Sequence, residues 1–331
     1  MTPPVRAVIF GCARPELTQA EAAFFADSQP WGAILFARNI ETPDRLQRLT
    51  SDLRAAVGRD LPILIDQEGG RVARMRGPHW YEWLPALDQC ACARDPVAAM
   101  ELRGRMMAAE LRAVGIDVNC APLADIARPE THAILHNRCY GRSVGQVVAH
   151  ARAMADGLLR GGVLPVLKHI PGHGRATLDS HLDLPVVHCP KIDLQATDFA
   201  AFKALSDLPL GMTAHLVFRA LDPDWPATQS PAMIRLIREE IGFDGLLMTD
   251  DISMQALSGP VEMRAKRALS AGCDLVLHCN GDMTEMQALA ETCPMLSDDA
   301  QVRSDRALAL RAAPETVETS ALEAAFAAAM G

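Results

Sequence analysis

Residues 168–181 crowd reactive side chains around a sharp bend: Lys168, His169, His173, Arg175, Asp179 and His181, with Pro171, Gly172 and Gly174 between them. The apolar run Leu164–Leu167 just before them reads as a buried strand. Proline and two glycines deny the segment a helix, so it is a loop leaving a strand end. Asp179 and His181 are two apart, and in extended chain such residues face the same way. The carboxylate can then hold one imidazole nitrogen, fix the tautomer and favour the imidazolium, which makes His181 a usable general acid near neutral pH. A plain loop histidine beside a solvated aspartate fits this spacing equally well. His169 and His173 are four apart, a metal-binding spacing on a helix, but Pro171 and Gly172 remove the helix, and no metal is expected.

Other ionisable groups also stand just after apolar runs. Asp66 leads into Gln67, Glu68, Gly69, Gly70, Arg71 and Arg74; Asp125, His215 and the pair Asp250–Asp251 occupy similar places. Asp250 follows Leu246, Leu247 and Met248, so two adjacent acids can divide the labour, one capping a turn and one facing inward. For Asp66, a cap or a loop ion pair with Arg71 or Arg74 is as good a reading as a binding role.

The elements that must position these groups alternate along the chain. Strands are expected over Val5–Cys12, Gly32–Ala37, Pro62–Asp66, Asp117–Ala124, Leu164–His169, Leu210–Val217, Gly245–Asp250 and Asp274–Cys279. Helices come between them. One follows the Thr42-Pro43-Asp44 start signal, one begins at Asp95-Pro96, one spans about Leu194 to Leu205, and one is capped at Ser230-Pro231. Gln67–Cys92 and the stretch up to Ser143 read as long loops. Eight continuous apolar strands separated by helices imply a parallel sheet buried on both faces, and eight such units make a (β/α)8, TIM-type, barrel. An open doubly wound sheet is the alternative. The chain reads as one catalytic barrel domain over 1–331, with a helical C-terminal tail from about 297 to 331. In such a barrel the strands' C-terminal ends form the site, which is where Asp66, Asp125, Lys168, His169, His215 and Asp250 fall.

Composition narrows the function classes. The chain has 331 residues, 49% of them apolar, and a net charge of −9. It shows no basic cluster, which argues against nucleic acid or an anionic membrane as the main partner. No run approaches a membrane span and Met1–Phe10 lacks a signal-peptide core, so a cytoplasmic protein is expected. The nine cysteines are scattered and read as reduced, mostly buried thiols; Cys90 and Cys92 have no second pair with which to bind zinc. No glycine-rich phosphate loop follows a strand, so no nucleotide cofactor is expected.

Three motifs together resemble glycoside hydrolase family 3. They are Asp66-Gln67-Glu68-Gly69-Gly70-Arg71-Val72 with Arg74, Lys168-His169 through Gly174 with Asp179-Ser180-His181, and Thr249-Asp250-Asp251-Ile252-Ser253-Met254. The likeness is greatest to the bacterial β-N-acetylhexosaminidase branch, cytoplasmic β-N-acetylglucosaminidases of cell-wall recycling. The resemblance implies that Asp250 is the nucleophile of a retaining mechanism and that His181, held by Asp179, is the acid/base. It implies that Asp66, Arg74, Arg138, Lys168 and His169 bind the sugar, that no cofactor is needed, and that the substrates are small N-acetylglucosaminyl muropeptides. Around Arg138 the sequence departs from the family pattern: Cys139 stands where serine is usual and His136 where glycine is usual. Ile170 replaces a usual phenylalanine. An imidazole acid repels phosphate less than a carboxylate does, which keeps phosphorolysis open. Two rivals remain, a metal-dependent hydrolase or lyase using His169, His173, Asp250 and Asp251, and a sugar-binding barrel without turnover.

Overall fold

Residues 6–11 show the pattern that builds the molecule: Ala7 and Ile9 join one apolar cluster, Val8 and Phe10 a second. In the computed structural model, which describes residues 4–178, 183–311 and 318–331, this period of two recurs around a closed ring. The ring strands are β1 (Arg6–Gly11), β2 (Pro30–Leu35), β3 (Ile63–Ile65), β4 (Val118–Asn119), β5 (Leu164–Ile170), β7 (Leu210–Thr213), β9 (Leu246–Asp251) and β10 (Leu275–His278). All pair in parallel, and β10 closes onto β1. Two short strands, β6 (Val186–Val187) and β8 (Val217–Phe218), form a separate parallel pair. The expected eight-stranded barrel is therefore present, and the open sheet is not.

Helices wrap the outside. They are α1 (Gln19–Ser28), α2 (Pro43–Val57), α3 (Ala86–Cys92), α4 (Pro96–Ala113), α5 (Ala133–His136), α6 (Val144–Arg160), α7 (Lys191–Ala196) and α8 (Asp198–Lys203). After them come α9 (Pro231–Leu236), α10 (Val261–Ala271), α11 (Met283–Thr292), α12 (Asp298–Leu308) and α13 (Thr319–Met330). Their starts obey local chemistry. Thr42, Asp95, Ser143 and Ser230 each accept a backbone N–H of the first turn, and Thr18 forms a full capping box with Glu21. No helix among the described residues is long and apolar enough to cross a membrane.

The inner cluster fills the barrel with Ile9, Ile34, Leu64, Val118, Leu164, Val166, Leu210, Leu246, Met248, Leu275 and Leu277. Its lower end is closed by α12, which contributes Ala300 and Ala307 and whose Ser304 Oγ accepts the buried Trp31 indole N–H at 2.7 Å. Two carboxylates stitch the strand starts to the outer arginines. Asp117 accepts Ile63 N–H at 2.7 Å and pairs with Arg311 at 2.6 Å. Asp274 accepts Leu247 N–H at 2.8 Å and pairs with Arg238 at 2.7 Å and Arg303 at 3.0 Å.

Five local expectations change. The sixth strand ends at Thr213, since Val217 pairs in β8 outside the ring, and α5 forms within the stretch up to Ser143 that reads as loop. The fourth strand is far shorter than Asp117–Ala124. Pro122 has no N–H to give the ladder, and the Asn119 side chain bonds Gln67 N–H at 3.0 Å and Gln67 C=O at 2.9 Å instead. The stretch 67–92 is not all loop, because α3 forms within it. The single helix expected over about 194–205 is two helices, α7 and α8, broken at Thr197, whose backbone leaves the helical region.

Candidate active site

The period-two pattern carries each strand's inward face one step beyond the apolar core. After Leu64 comes Asp66; after Leu164 and Val166 comes Lys168; after Leu246 and Met248 comes Asp250; after Leu275 and Leu277 comes Cys279. These residues floor a cavity of about 340 Å³ at the strands' C-terminal ends, with Met212, Arg74, Arg138, His169 and His173 around them and Arg71 and Ile134 at its mouth. On β5 strict alternation would turn His169 outward like Leu167. The register with β7 shifts between Leu167 and Ile170, so Ile170 rejoins the outer cluster and both Lys168 and His169 reach the cavity.

A chain of alternating charges lines one wall. Arg74 pairs with Asp66 at 3.2 Å, Asp66 with Lys168 at 2.8 Å, Lys168 with Glu68 at 2.7 Å, and Glu68 with Arg138 at 2.8 Å. The Arg138–Glu68 contact is a two-pronged fork, Nε and Nη2 each donating to a different carboxylate oxygen. Burial pushes both carboxyls up, but the cations outweigh it. Lys168 and Arg74 hold Asp66 well below the usual range, and Arg138 and Lys168 bring Glu68 down to about 2. Both acids are therefore carboxylates at neutral pH, and the same partners hold Lys168 charged despite its burial.

Asp250 is half-buried on the opposite side, its Oδ1 accepting Asp251 N–H at 2.8 Å. Burial opposes its charge, but His169 and His215 outweigh it and lower its pKa. Asp251 does the capping: its carboxylate takes Ser253 N–H at 3.1 Å, Ser253 Oγ–H at 2.8 Å and Cys279 N–H at 3.2 Å. His215 has both ring nitrogens engaged, with Thr228 Oγ1 at 2.7 Å and Asp251 C=O at 3.0 Å.

The opening loop is anchored by Asp125, a wholly buried carboxylate. One oxygen sits 2.8 Å from His169 Nδ1 and the other accepts His173 N–H at 2.6 Å. His169 and His173 do meet, with ring centroids 5.6 Å apart, through a turn and not a helix. Burial pushes the His173 imidazole down to about 4, so it is neutral at physiological pH. Arg175 ties the loop to α8 through Asp198 at 2.7 Å, and His132 N–H holds Ala176 C=O at 3.1 Å. Asp179 and His181 lie outside the described residues.

The structure thus brings together Asp66, Arg74, Arg138, Lys168, His169 and Asp250. Glu68 and Asp125 were not singled out from the sequence. Glu68 lies inside the first motif, and its signal is a second acid beside Asp66 ahead of the arginines of that stretch. Asp125 was noticed only as a strand end. Among the described residues no group of three His, Cys, Asp or Glu side chains is arranged to hold a metal ion. Asp251, a ligand in the metal-dependent reading, is committed to its turn.

Residues 7–307 match the glycosyl hydrolase family 3 N-terminal domain. A beta-hexosaminidase of Alkalilimnicola ehrlichii is 37% identical over 283 residues, 82% of this chain and 80% of the relative. One from Methylococcus capsulatus is 37% identical over 277 residues, covering 82% of each. Among solved structures, NagZ from Neisseria gonorrhoeae in complex with N-trifluoroacetyl-D-glucosamine superposes with a TM-score of 0.84 at 30% identity, covering 99% of this chain and 96% of that one. The beta-N-acetylhexosaminidase from Beutenbergia cavernae gives 0.74 at 28% identity, covering 97% and 96%.

Proposed function

The chain belongs to glycosyl hydrolase family 3, and from that premise we propose that it removes terminal β-linked N-acetylglucosamine with retention of configuration, through a covalent glycosyl-enzyme on Asp250. Its substrates in this reading are N-acetylglucosaminyl muropeptides released in peptidoglycan recycling, met in the cytoplasm.

One observation carries the division of roles. A retaining glycosidase needs a nucleophilic carboxylate and a separate proton donor. Asp250 is an ionised carboxylate at a strand end and supplies the first. Asp66 and Glu68 are held as carboxylates by Lys168, Arg74 and Arg138, so neither has a proton to give. His173 is neutral, and His169 Nδ1 is bound to Asp125. In this reading the donor is His181, because the motif that carries Lys168 and His169 continues into Asp179-Ser180-His181.

In the first step an Asp250 oxygen bonds to the anomeric carbon as the glycosidic C–O bond breaks, and the departing oxygen takes a proton from His181. In the second, His181 removes a proton from water, water displaces Asp250, and the sugar leaves in its original configuration. The ionised wall of Asp66, Lys168 and Arg138, with Glu68 holding the two cations from behind, offers fixed acceptors and donors to sugar hydroxyls and the acetamido group, already oriented before substrate arrives.

Asp250→Asn is expected to abolish turnover of an aryl β-N-acetylglucosaminide. His181→Ala should slow poor leaving groups far more than good ones, because a good leaving group needs little protonation. Wild-type rates in both variants would show the assignment to be wrong. Running the assay with and without inorganic phosphate separates hydrolysis, which releases the free sugar, from phosphorolysis, which releases a sugar 1-phosphate.

A further inference from the structure

The ion pair of Glu68 and Arg138 joins two loops that lie 70 positions apart in the chain. Behind both lies a single fully buried cation, Arg103 of α4. Its Nη2 donates to the backbone carbonyl of Glu68, and its Nη1 donates to Gln89 Oε1. Gln89 belongs to α3, and the first turn of α3 is tied to the other loop, with Leu87 N–H donating to Asn137 C=O at 3.1 Å. Asn137 is the residue before Arg138. One guanidinium therefore grips the Glu68 backbone directly and the Arg138 loop through α3.

The fit around this cation is close. A Cβ on Gly69 would overlap Arg103 Nη2, and Gly69 and Gly70 both have positive φ, at +113° and +57°. Only glycine lets the chain lie down on the guanidinium there. The guanidinium carbon sits 5.3 Å over the Trp83 ring, and Trp83 C=O takes Gly70 N–H at 2.8 Å. Trp83 in turn packs edge-on against Phe326 of α13, with centroids 5.5 Å apart. Helix α13 lies beyond residues 7–307 and is pinned by its last carbonyls, Ala329 C=O accepting Asp95 N–H at 2.9 Å.

We propose that Arg103 is the positioning residue for the ion pair Glu68–Arg138, whose Arg138 lines the cavity, and that α13 braces it through the stack Phe326–Trp83–Arg103. Arg103 touches no substrate. It acts on Arg138, which lines the cavity, and on Glu68, which holds Arg138 in place, a role resting on the sugar-binding reading of the cavity. Arginine is required because its fork reaches two acceptors at once; lysine keeps the charge but offers a point donor.

The test uses the full chain and two readouts, steady-state kinetics on an aryl β-N-acetylglucosaminide and calorimetric binding of free N-acetylglucosamine, both well below the thermal midpoint. Turnover by the wild type is established first, so failure there counts against the proposed function and not against the role of Arg103. Arg103→Lys should lower kcat/KM and monosaccharide affinity together by about tenfold, the scale of one charge-assisted hydrogen bond. Gln89→Ala and Phe326→Ala, which leave Arg103 in place, should weaken binding in the same direction by roughly threefold, less than a full hydrogen bond. Phe326→Tyr should restore it. The effects of Arg103→Lys and Arg138→Lys should be strongly non-additive, since both act on one contact. A purely structural Arg103 would lower the midpoint and leave affinity unchanged in all three variants, and that result would overturn the proposal. If Arg103→Lys does not fold, Gln89→Ala and Phe326→Ala decide it alone.

Discussion

Glu68 shows how one side chain can govern a site without a catalytic role of its own. Both its oxygens are occupied by Arg138, and Lys168 shares one of them. Removing its charge while keeping its shape takes the carboxylate fork from Arg138 and leaves Lys168 with Asp66 as its ion-pair partner. Breaking one partner out of a buried ion network costs about 3–5 kcal/mol, because the remaining charges stay desolvated. Glu68→Gln is therefore expected to lower unfolding free energy by about 3 kcal/mol in denaturant melts and to raise KM for the aryl glycoside. A variant as stable as the wild type would mean that Arg138 and Lys168 hold each other's surroundings without it. At this scale the sequence was readable where spacing alone decides orientation. Asp250 points inward because it stands two after Met248 and four after Leu246, and Asp251 therefore caps. It was not readable where a side chain's partners come from distant loops. Glu68 meets Arg138 across 70 positions, and no local pattern encodes that.

Elements with apolar periodicity and a cap signal formed where expected, from the Thr42 cap of α2 to the Ser230-Pro231 start of α9. The failures came where side chains replace backbone bonds, as when Asn119 takes the place of ladder partners in β4, or where a short helix such as α3 depends on Arg103 and Gln89. Buried carboxylates also occupy both ends of the barrel. Asp117 and Asp274 sit at strand starts and serve structure, so acids at the other end count as functional only because their strands point there. Helix packing offers a sharp test. α4 and α6 cross so closely that a Cβ on Gly104 would lie 3.0 Å from Gly157 Cα, and one on Gly157 would overlap Glu101 C=O. Gly157→Ala should destabilise by about 1–3 kcal/mol through overpacking. Gly145, in the first turn of the same α6, has nothing within 4 Å of its added Cβ. There alanine should stabilise by roughly 0.5–1 kcal/mol by reducing the freedom of the unfolded chain. Thermal melts that moved the same way for both would refute the close-approach account.

For the whole molecule, the buried groups of the site set how stability responds to acid. His173 titrates at about 4 in the folded chain because burial penalises its charge, and at 6.5 when unfolded. Glu68 titrates at about 2 against its ordinary value of 4.5, burial being outweighed by Arg138 and Lys168. Both values are lower in the folded chain than in the unfolded one. The unfolded chain therefore binds protons first as pH falls, and stability falls with it. The two windows overlap only between about pH 4 and pH 4.5. The contribution of His173 is whole above about pH 6.5 and is lost on the way to about pH 4, while that of Glu68 is whole above about pH 4.5 and is lost toward about pH 2. From its shift, His173 accounts for a loss on the order of 3 kcal/mol across its window. Unfolding free energies measured from about pH 7.5 down to about pH 2 at constant ionic strength should thus decline in two stages. His173→Asn, which carries no titrating group, should make the first stage shallower, His215 still contributing to it, and leave the second, whereas Glu68→Gln should make the second shallower, Asp66 and Asp250 still contributing to it. If the His173→Asn chain kept the wild-type slope between pH 6.5 and pH 4.5, the neutral buried imidazole would not be the group that makes this barrel sensitive to mild acid.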